Sequence, residues 1–175
     1  RGSTYMNKIY AYILSRLNPL KYAKKIGVNV GENVHFTARV SWGSEPYLIN
    51  IGDNTKFSQN VVFTNHDGAV NVLRNLYDIK DADIVKPIKI GKNCFIGINV
   101  TILFGTNIGD NVIVGAGSIV TSDLESNSVY AGVPAKRICS IEEYYEKNKK
   151  YLLPTKNMNP KQKKEFLIKK YYESK

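Results

Sequence analysis

From residue 90 to residue 125 the hydrophobic positions recur every six residues. Aliphatic side chains stand at Ile90, Ile96, Ile102, Ile108, Val114 and Val120, and glycine follows four of them, at Gly91, Gly97, Gly109 and Gly115. A period of six is neither the 3.6 of a helix nor the 2 of a plain strand. It is the mark of a parallel β-helix, in which short strands meet at corners. The aliphatic residue points inward at each corner, and Gly or Asn relieves the backbone strain of turning there. Three blocks make one coil, so the spacing stacks Ile90 over Ile108, Ile96 over Val114 and Ile102 over Val120. A single coil cannot bury its apolar face, whereas stacked coils can.

The same pattern extends upstream in weaker form, as VGENVH from Val30, FTARVS from Phe36, then Trp42. Three extra residues intervene before the register resumes at Ile51, which predicts a bulged corner over residues 43–47. From Asp67 to Lys86 nothing repeats, and Pro87 closes the insertion. Leu73, Leu76, Tyr77, Ile79, Ile84 and Val85 are too apolar for a disordered loop, so the insertion is expected to pack on a neighbour. Before the coils, Ile9, Ile13, Leu14 and Leu17 are spaced for one face of a helix, which Pro19 interrupts. That helix is expected to cap the open end of the stack. After Val120 the repeat fades. A helix is predicted from Ile141 to Leu152, ended by Pro154, and a second from Pro160 to about Tyr172 with Asn159 as its cap. These two are expected to fold back on the β-helix or on another subunit. The implied organisation is an expression remnant at 1–5 with Met6 as the natural start, an N-terminal cap at 6–27, the β-helix at 28–140 with its loop at 67–87, and a basic helical tail at 141–175.

Composition narrows the class. One domain is expected at 175 residues, and 43% hydrophobic content argues for a folded chain. No apolar run approaches membrane-spanning length and no secretory signal is present, while the two cysteines, Cys94 and Cys139, make no metal spacing or disulfide framework. A reducing cytoplasm is the expected location. The net charge is +10, and from Lys136 onward twelve Lys or Arg against five Glu leave +7 in the tail. The tail is read as a solvated lysine-rich face, so nucleic acid is not expected as a partner. The N-terminal helix carries Lys8, Arg16, Lys21, Lys24 and Lys25 beside its apolar face, which also suits weak association with the inner face of a membrane.

Few residues can carry proton chemistry. His66, in Asn65-His66-Asp67 at the mouth of the insertion, is the candidate general base, because imidazole titrates near neutrality. A surface histidine at a loop mouth is the plain alternative. His35 is read as solvent-facing. Asp67 either orients the imidazole or starts the turn. Trp42 and Glu45 fall one coil before His66 and could hold a sugar by ring stacking and hydroxyl hydrogen bonds, or Trp42 could simply fill its corner. Residues 115–118, Gly-Ala-Gly-Ser, leave an edge that a ligand could approach closely. Lys136 and Arg137 follow at the exit of the stack and suit a phosphate-bearing ligand. A zinc enzyme built on three histidines does not fit a chain that holds two, His35 and His66.

With these residues in place, the run from residue 90 to Val120, the AGVPAKRI that follows, NHD before the insertion and KPIKIGKNCFIG after it together resemble the hexapeptide-repeat acyltransferases. The likeness is to the maltose and galactoside O-acetyltransferases, and SEPYLINIGDN with a lysine-rich tail looks most like those acting on capsule or O-antigen polysaccharide. The resemblance covers about residues 28–141. It implies an all-β fold class: a left-handed parallel β-helix with an N-terminal helix, one extended loop and a helical tail. The hand comes from the resemblance, since general rules favour right-handed crossovers.

The resemblance also implies roles. His66 matches the family's catalytic base and Asn65 lies beside the acceptor. Acetyl-CoA, as co-substrate and without a metal, would lie against Gly97, Gly115, Ala116 and the Thr121–Ser122 pair, with Lys136 and Arg137 as its cations. Phe95 stands where the family usually has Trp, Ser122 where Lys is common, and Ile98 where a small or polar residue is common. The polar acceptor residues of the galactoside enzymes are not matched at residues 36–38, so a different sugar or glycan is expected. A homotrimer with active sites between subunits is implied. The expected reaction is O-acetylation of a sugar, with N-acetylation of an amino sugar or a non-catalytic assembly module as the alternatives, and a backbone N–H near Gly97 or on a neighbouring subunit steadying the oxyanion.

Overall fold

The computed structural model describes residues 7–173. The expression remnant expected at 1–5, and Met6, lie outside the described residues. Three parallel sheets form the three sides of a β-helix. Side one carries β1 (Asn29–Val30), β3 (Ile49–Ile51), β6 (Ile88–Ile90) and β9 (Asn107–Ile108). Side two carries β2 (His35–Phe36), β4 (Lys56–Phe57), β7 (Phe95–Ile96), β10 (Ile113–Val114) and β12 (Ser128–Ala131), with β13 (Lys136–Ser140) added antiparallel. Side three carries β5 (Val62–Thr64), β8 (Thr101–Leu103) and β11 (Ile119–Val120).

The predicted register is the observed one. Ile90 pairs with Ile108, Ile96 with Val114 and Ile102 with Val120. Ile96, Ile102, Val114 and Val120 have no exposed surface, and each such side chain contributes about 1.5–3 kcal/mol by leaving water. The first two coils are filled differently, by Phe36 stacked on Phe57 and Trp42 stacked on Phe63. Val30 pairs with Ile51, an offset of 21, so the three extra residues are accommodated within the first coil, where Gly43 adopts φ +70 and Pro46–Leu48 form a 3-10 turn. The repeat fades after Val120 because the last coil is two residues short: Ile108 bridges Leu124 and Val114 pairs with Tyr130, offsets of 16.

The corners turn on Asn or Gly, as expected. The left-handed backbone positions fall mainly on asparagine, at Asn33, Asn54, Asn93, Asn111 and Asn127 on one edge and Asn60 and Asn99 on another, and also on Gly105 and Gly117. The asparagine side chains form ladders between coils, as Asn93 to Asn111 to Asn127 at 2.8 Å each. Gly91, Gly97, Gly109 and Gly115 do not have positive φ; they are needed because coils touch there. A Cβ on Gly91 would come within 2.6 Å of the Gly109 carbonyl oxygen.

Ahead of the coils lie α1 (Lys8–Leu17), capped by the Asn7 side chain, and α2 (Pro19–Lys25), capped by Asn18. The insertion is ordered and carries α3 (Val70–Tyr77). Its base closes through a His66–Val85 bridge and the Asp67 N–H to Ile84 carbonyl bond, and Arg74 ties its two limbs by donating to Ala82. The last helices are α4 (Ile141–Asn148) and α5 (Pro160–Ile168), the latter with the predicted Asn159 cap, completed by Gln162 into a capping box. Residues from Tyr144 onward make a second compact unit. Its last turn widens at Lys169–Glu173.

Candidate functional site

The coils have three edges. Edge I joins sides one and two, edge II joins two and three, and edge III joins three and one. His66 sits on edge III just after β5, with its side chain 40% exposed. The register places the corner of the first coil beside it: Ser41 bridges Val62, so Glu45 falls opposite His66. This corner is clamped. Asn65 is fully buried, and its amide donates to the Glu45 carbonyl while its oxygen lies 3.4 Å from the Glu45 N–H. Gly43 makes the close approach, since a Cβ there would stand 2.6 Å from the Asn65 oxygen.

The clamp delivers a polar relay to the imidazole. Ser44 Oγ is 2.8 Å from His66 Nδ1 and donates to Glu45 Oε2 at 2.6 Å. The carboxylate oxygen itself lies 3.7 Å from Nδ1. A serine hydroxyl has one proton. With that proton committed to Glu45, Nδ1 must donate to Ser44, and Nε2 is left as a free acceptor. That tautomer is the one a general base needs.

Several expected roles change. Asp67 takes the second of its two alternatives: its carboxylate accepts from the Ala69 N–H at 2.9 Å and starts the insertion's turn. Imidazole orientation falls to Ser44 and Glu45 instead. Trp42 is buried, its ring stacked on Phe63 at 5.2 Å and edge-on to Phe36 at 5.3 Å, so it fills its corner and presents no face to a sugar. Asn65 is likewise a buried clamp. Glu45 remains at the site, behind the imidazole. Ser44 was missed. His35 is exposed, as expected.

The residues expected at the coenzyme divide between two edges. On edge II, Gly97, Gly115 and Ala131 follow one another in adjacent strands, and Lys136 pairs with Ala131 at the end of that row. A Cβ on Gly97 would meet the Ala116 nitrogen at 2.7 Å, whereas Gly117, at φ +70, faces open space. Ala116, Lys136 and Arg137 are exposed, as are Phe95 and Ile98 beside the row. Arg137 Nε donates to Ser128 Oγ at 3.2 Å. The Gly97 N–H is taken by the Val114 carbonyl at 2.9 Å, so it is not the oxyanion donor. Thr121 and Ser122 follow β11 and lie on edge III, the edge of His66. Within one chain the width of side three separates His66 from the Gly97–Gly115 row, roughly 15–20 Å of extended backbone. A concavity of about 600 Å³ between Leu20 and His35 contains neither.

Cys94 is buried, which pushes its thiol above its ordinary range. It accordingly reads as core.

Comparison with known proteins follows from this geometry. The hexapeptide repeat of succinyl-transferase matches residues 87–122. Protein CapG of Staphylococcus aureus is 41% identical over 171 residues, covering 97% of this chain and 98% of that one. The galactoside O-acetyltransferase of Escherichia coli is 34% identical over 140 residues, 75% of this chain and 65% of the enzyme. Among solved structures, a galactoside acetyltransferase in complex with coenzyme A superposes with a TM-score of 0.53 at 28% identity, over 78% of this chain and 79% of that one.

Proposed function

The chain belongs to the hexapeptide-repeat acetyltransferase family, and from that premise we propose that it moves the acetyl group of acetyl-CoA onto a hydroxyl of a cell-surface glycan, of capsule or O-antigen type, with His66 as the base. The observation that carries this reading is the relay behind His66. It leaves Nε2 free on an exposed edge, and the carboxylate of Glu45 offsets the positive charge that the imidazole gains.

Acetyl-CoA supplies an activated thioester. The residues available to hold it fit such a ligand: Gly117 faces open space beside the exposed Ala116, and Lys136, at the end of the neighbouring Gly97–Gly115–Ala131 row, offers a cation for phosphate. His66 accepts the proton of the acceptor hydroxyl as its oxygen bonds to the acyl carbon; the thiol leaves, and the proton is returned from His66 to the sulfur. Holding both substrates together provides the proximity, so no acylated side chain is required.

The two edges must then meet. Since His66 and the small-residue row lie on different edges of one chain, the reading places edge III of one copy against edge II of the next, in a closed homotrimer. Thr121 and Ser122, on the His66 edge, would face the same coenzyme from the other side. The insertion exposes Val72, Leu76 and Tyr77, a patch suited to covering a neighbouring copy's acceptor. We take the coil to be left-handed, as the resemblance implies.

The test is thiol release from acetyl-CoA against a panel of sugars, amino sugars, nucleotide sugars and lipid-linked glycans. Release driven by a hydroxyl acceptor supports the reading. Release only with amino sugars would replace it by N-acetylation, and none with any acceptor would remove it.

A further inference from the structure

The first 25 described residues carry a surface that acetyl transfer does not use. On α1, Ile9, Ile13 and Leu17 follow at intervals of four and Tyr10 stands between their turns, so they form one stripe. These side chains are exposed, Ile9 at 70%, Leu17 at 81%, Ile13 at 47% and Tyr10 at 43%. The opposite side of α1 is spoken for, because Leu14 and Ser15 are buried. Arg16 of α1 adjoins the stripe and Lys25 of α2 lies over Tyr10; Lys8, Lys21 and Lys24 are exposed elsewhere on the same two helices, and residues 7–31 contain no Asp or Glu. None of the five cations makes an ion pair with a carboxylate among the described residues. Two instead lie over tyrosine rings, Arg16 over Tyr12 at 4.7 Å and Lys25 over Tyr10 at 5.0 Å.

Charge decides what could cover such a face. A second copy presenting the same face would set five cations against five with no acid between them, and the chain as a whole carries +10. An anionic bilayer answers both features at once: its headgroups neutralise the cations while its interfacial zone takes the apolar stripe and the tyrosine rings. No helix among the described residues is long and apolar enough to cross a membrane, so the helix would lie along the surface. A ten-residue helix gives only a small apolar contact; with the lysines it makes the two weak signals that reversible attachment requires.

We infer that α1 and the lysines of α2 form a docking surface for an anionic lipid bilayer. This goes beyond the acetyltransferase reading and does not rest on it, so it can fail or succeed whatever the acceptor proves to be.

The experiment is flotation of the full chain with phosphatidylcholine vesicles, with and without phosphatidylglycerol. The chain should float with the anionic vesicles, and added salt should weaken this. Replacing Ile13→Ser with Leu17→Ser should cut partitioning about tenfold or more. Replacing Lys21→Gln, Lys24→Gln and Lys25→Gln should lower it about fivefold per lysine. Both variants change exposed side chains and should sediment and melt like the parent. Equal flotation on the two vesicle types overturns the inference. So does undiminished flotation of the Ile13 and Leu17 variant, which would assign binding to the basic tail. A change of oligomeric mass in that variant would show that another copy covers the stripe, and would overturn it equally.

Discussion

On the proposed reading His66 serves as a base only while one tautomer is kept, and the side chains that bond its ring are those of Ser44 and, through Ser44, Glu45. His66→Ala is expected to lower turnover by about two to four orders of magnitude, measured as thiol release at saturating acetyl-CoA. The fold should survive, because the ring is half-exposed. Ser44→Ala should lower turnover by about one to two orders, since a mis-aimed base costs that much. The KM for acetyl-CoA should stay unchanged and Ser44→Thr should recover most of the rate. Equal losses in Ser44→Ala and Ser44→Thr would mean that the hydroxyl does not set the tautomer. His66 was legible because it was one of two histidines and sat where the repeat broke. Ser44 was missed, although the offset of 21 that stacks Val30 on Ile51 also carries residues 44 and 45 onto residues 65 and 66. Trp42 and Asn65 misled because the sequence gives residue type but not depth. An indole and an amide suit a sugar site equally well as a buried corner.

At the scale of the element, the period of six dictated which residues point inward and which strands pair, and the register bears this out from Ile90 to Val120. The period could not say what glycine does. Gly91 is required because the next coil passes within reach of its missing Cβ. Gly91→Ala should therefore destabilise the stack by about 1–3 kcal/mol, as overpacking does, seen as a lower denaturation midpoint with unchanged slope. The helix in the insertion was missed although Val70, Leu73 and Tyr77 keep helical spacing, because eight residues give only two turns on which to read it. Edge I adds an acid-sensitive contact. The Glu32 N–H first, against an opposing effect of desolvation, and then Lys92 hold the Asp53 carboxyl below its ordinary value of 3.8. A depressed folded pKa stabilises the protein above the unfolded pKa, and the gain disappears as pH falls through the folded value. Asp53→Asn should thus lower the melting temperature in the neutral range and converge with the wild type below about pH 4, which flattens its fall in acid. A parallel shift at every pH would mean that the carboxylate's charge plays no part.

At the scale of the molecule, His66 and the small-residue row lie on different edges of the β-helix. The repeat already implies this, because the block holding His66 stacks with that of Ile102 and not with that of Ile96. The proposed transfer therefore involves two copies, with the His66 of one acting at the coenzyme row of the next. Mixed oligomers test this most directly. His66→Ala and Ala116→Trp chains, the second with edge II blocked, would be co-expressed with different tags, purified through both, and assayed for thiol release. Each variant alone should be nearly inactive. In a mixed trimer one of the three sites pairs an intact base with an intact row, so activity should return to about one third of the wild-type rate. Mixed oligomers as inactive as their parents, or a wild-type monomer with full activity, would contradict the account.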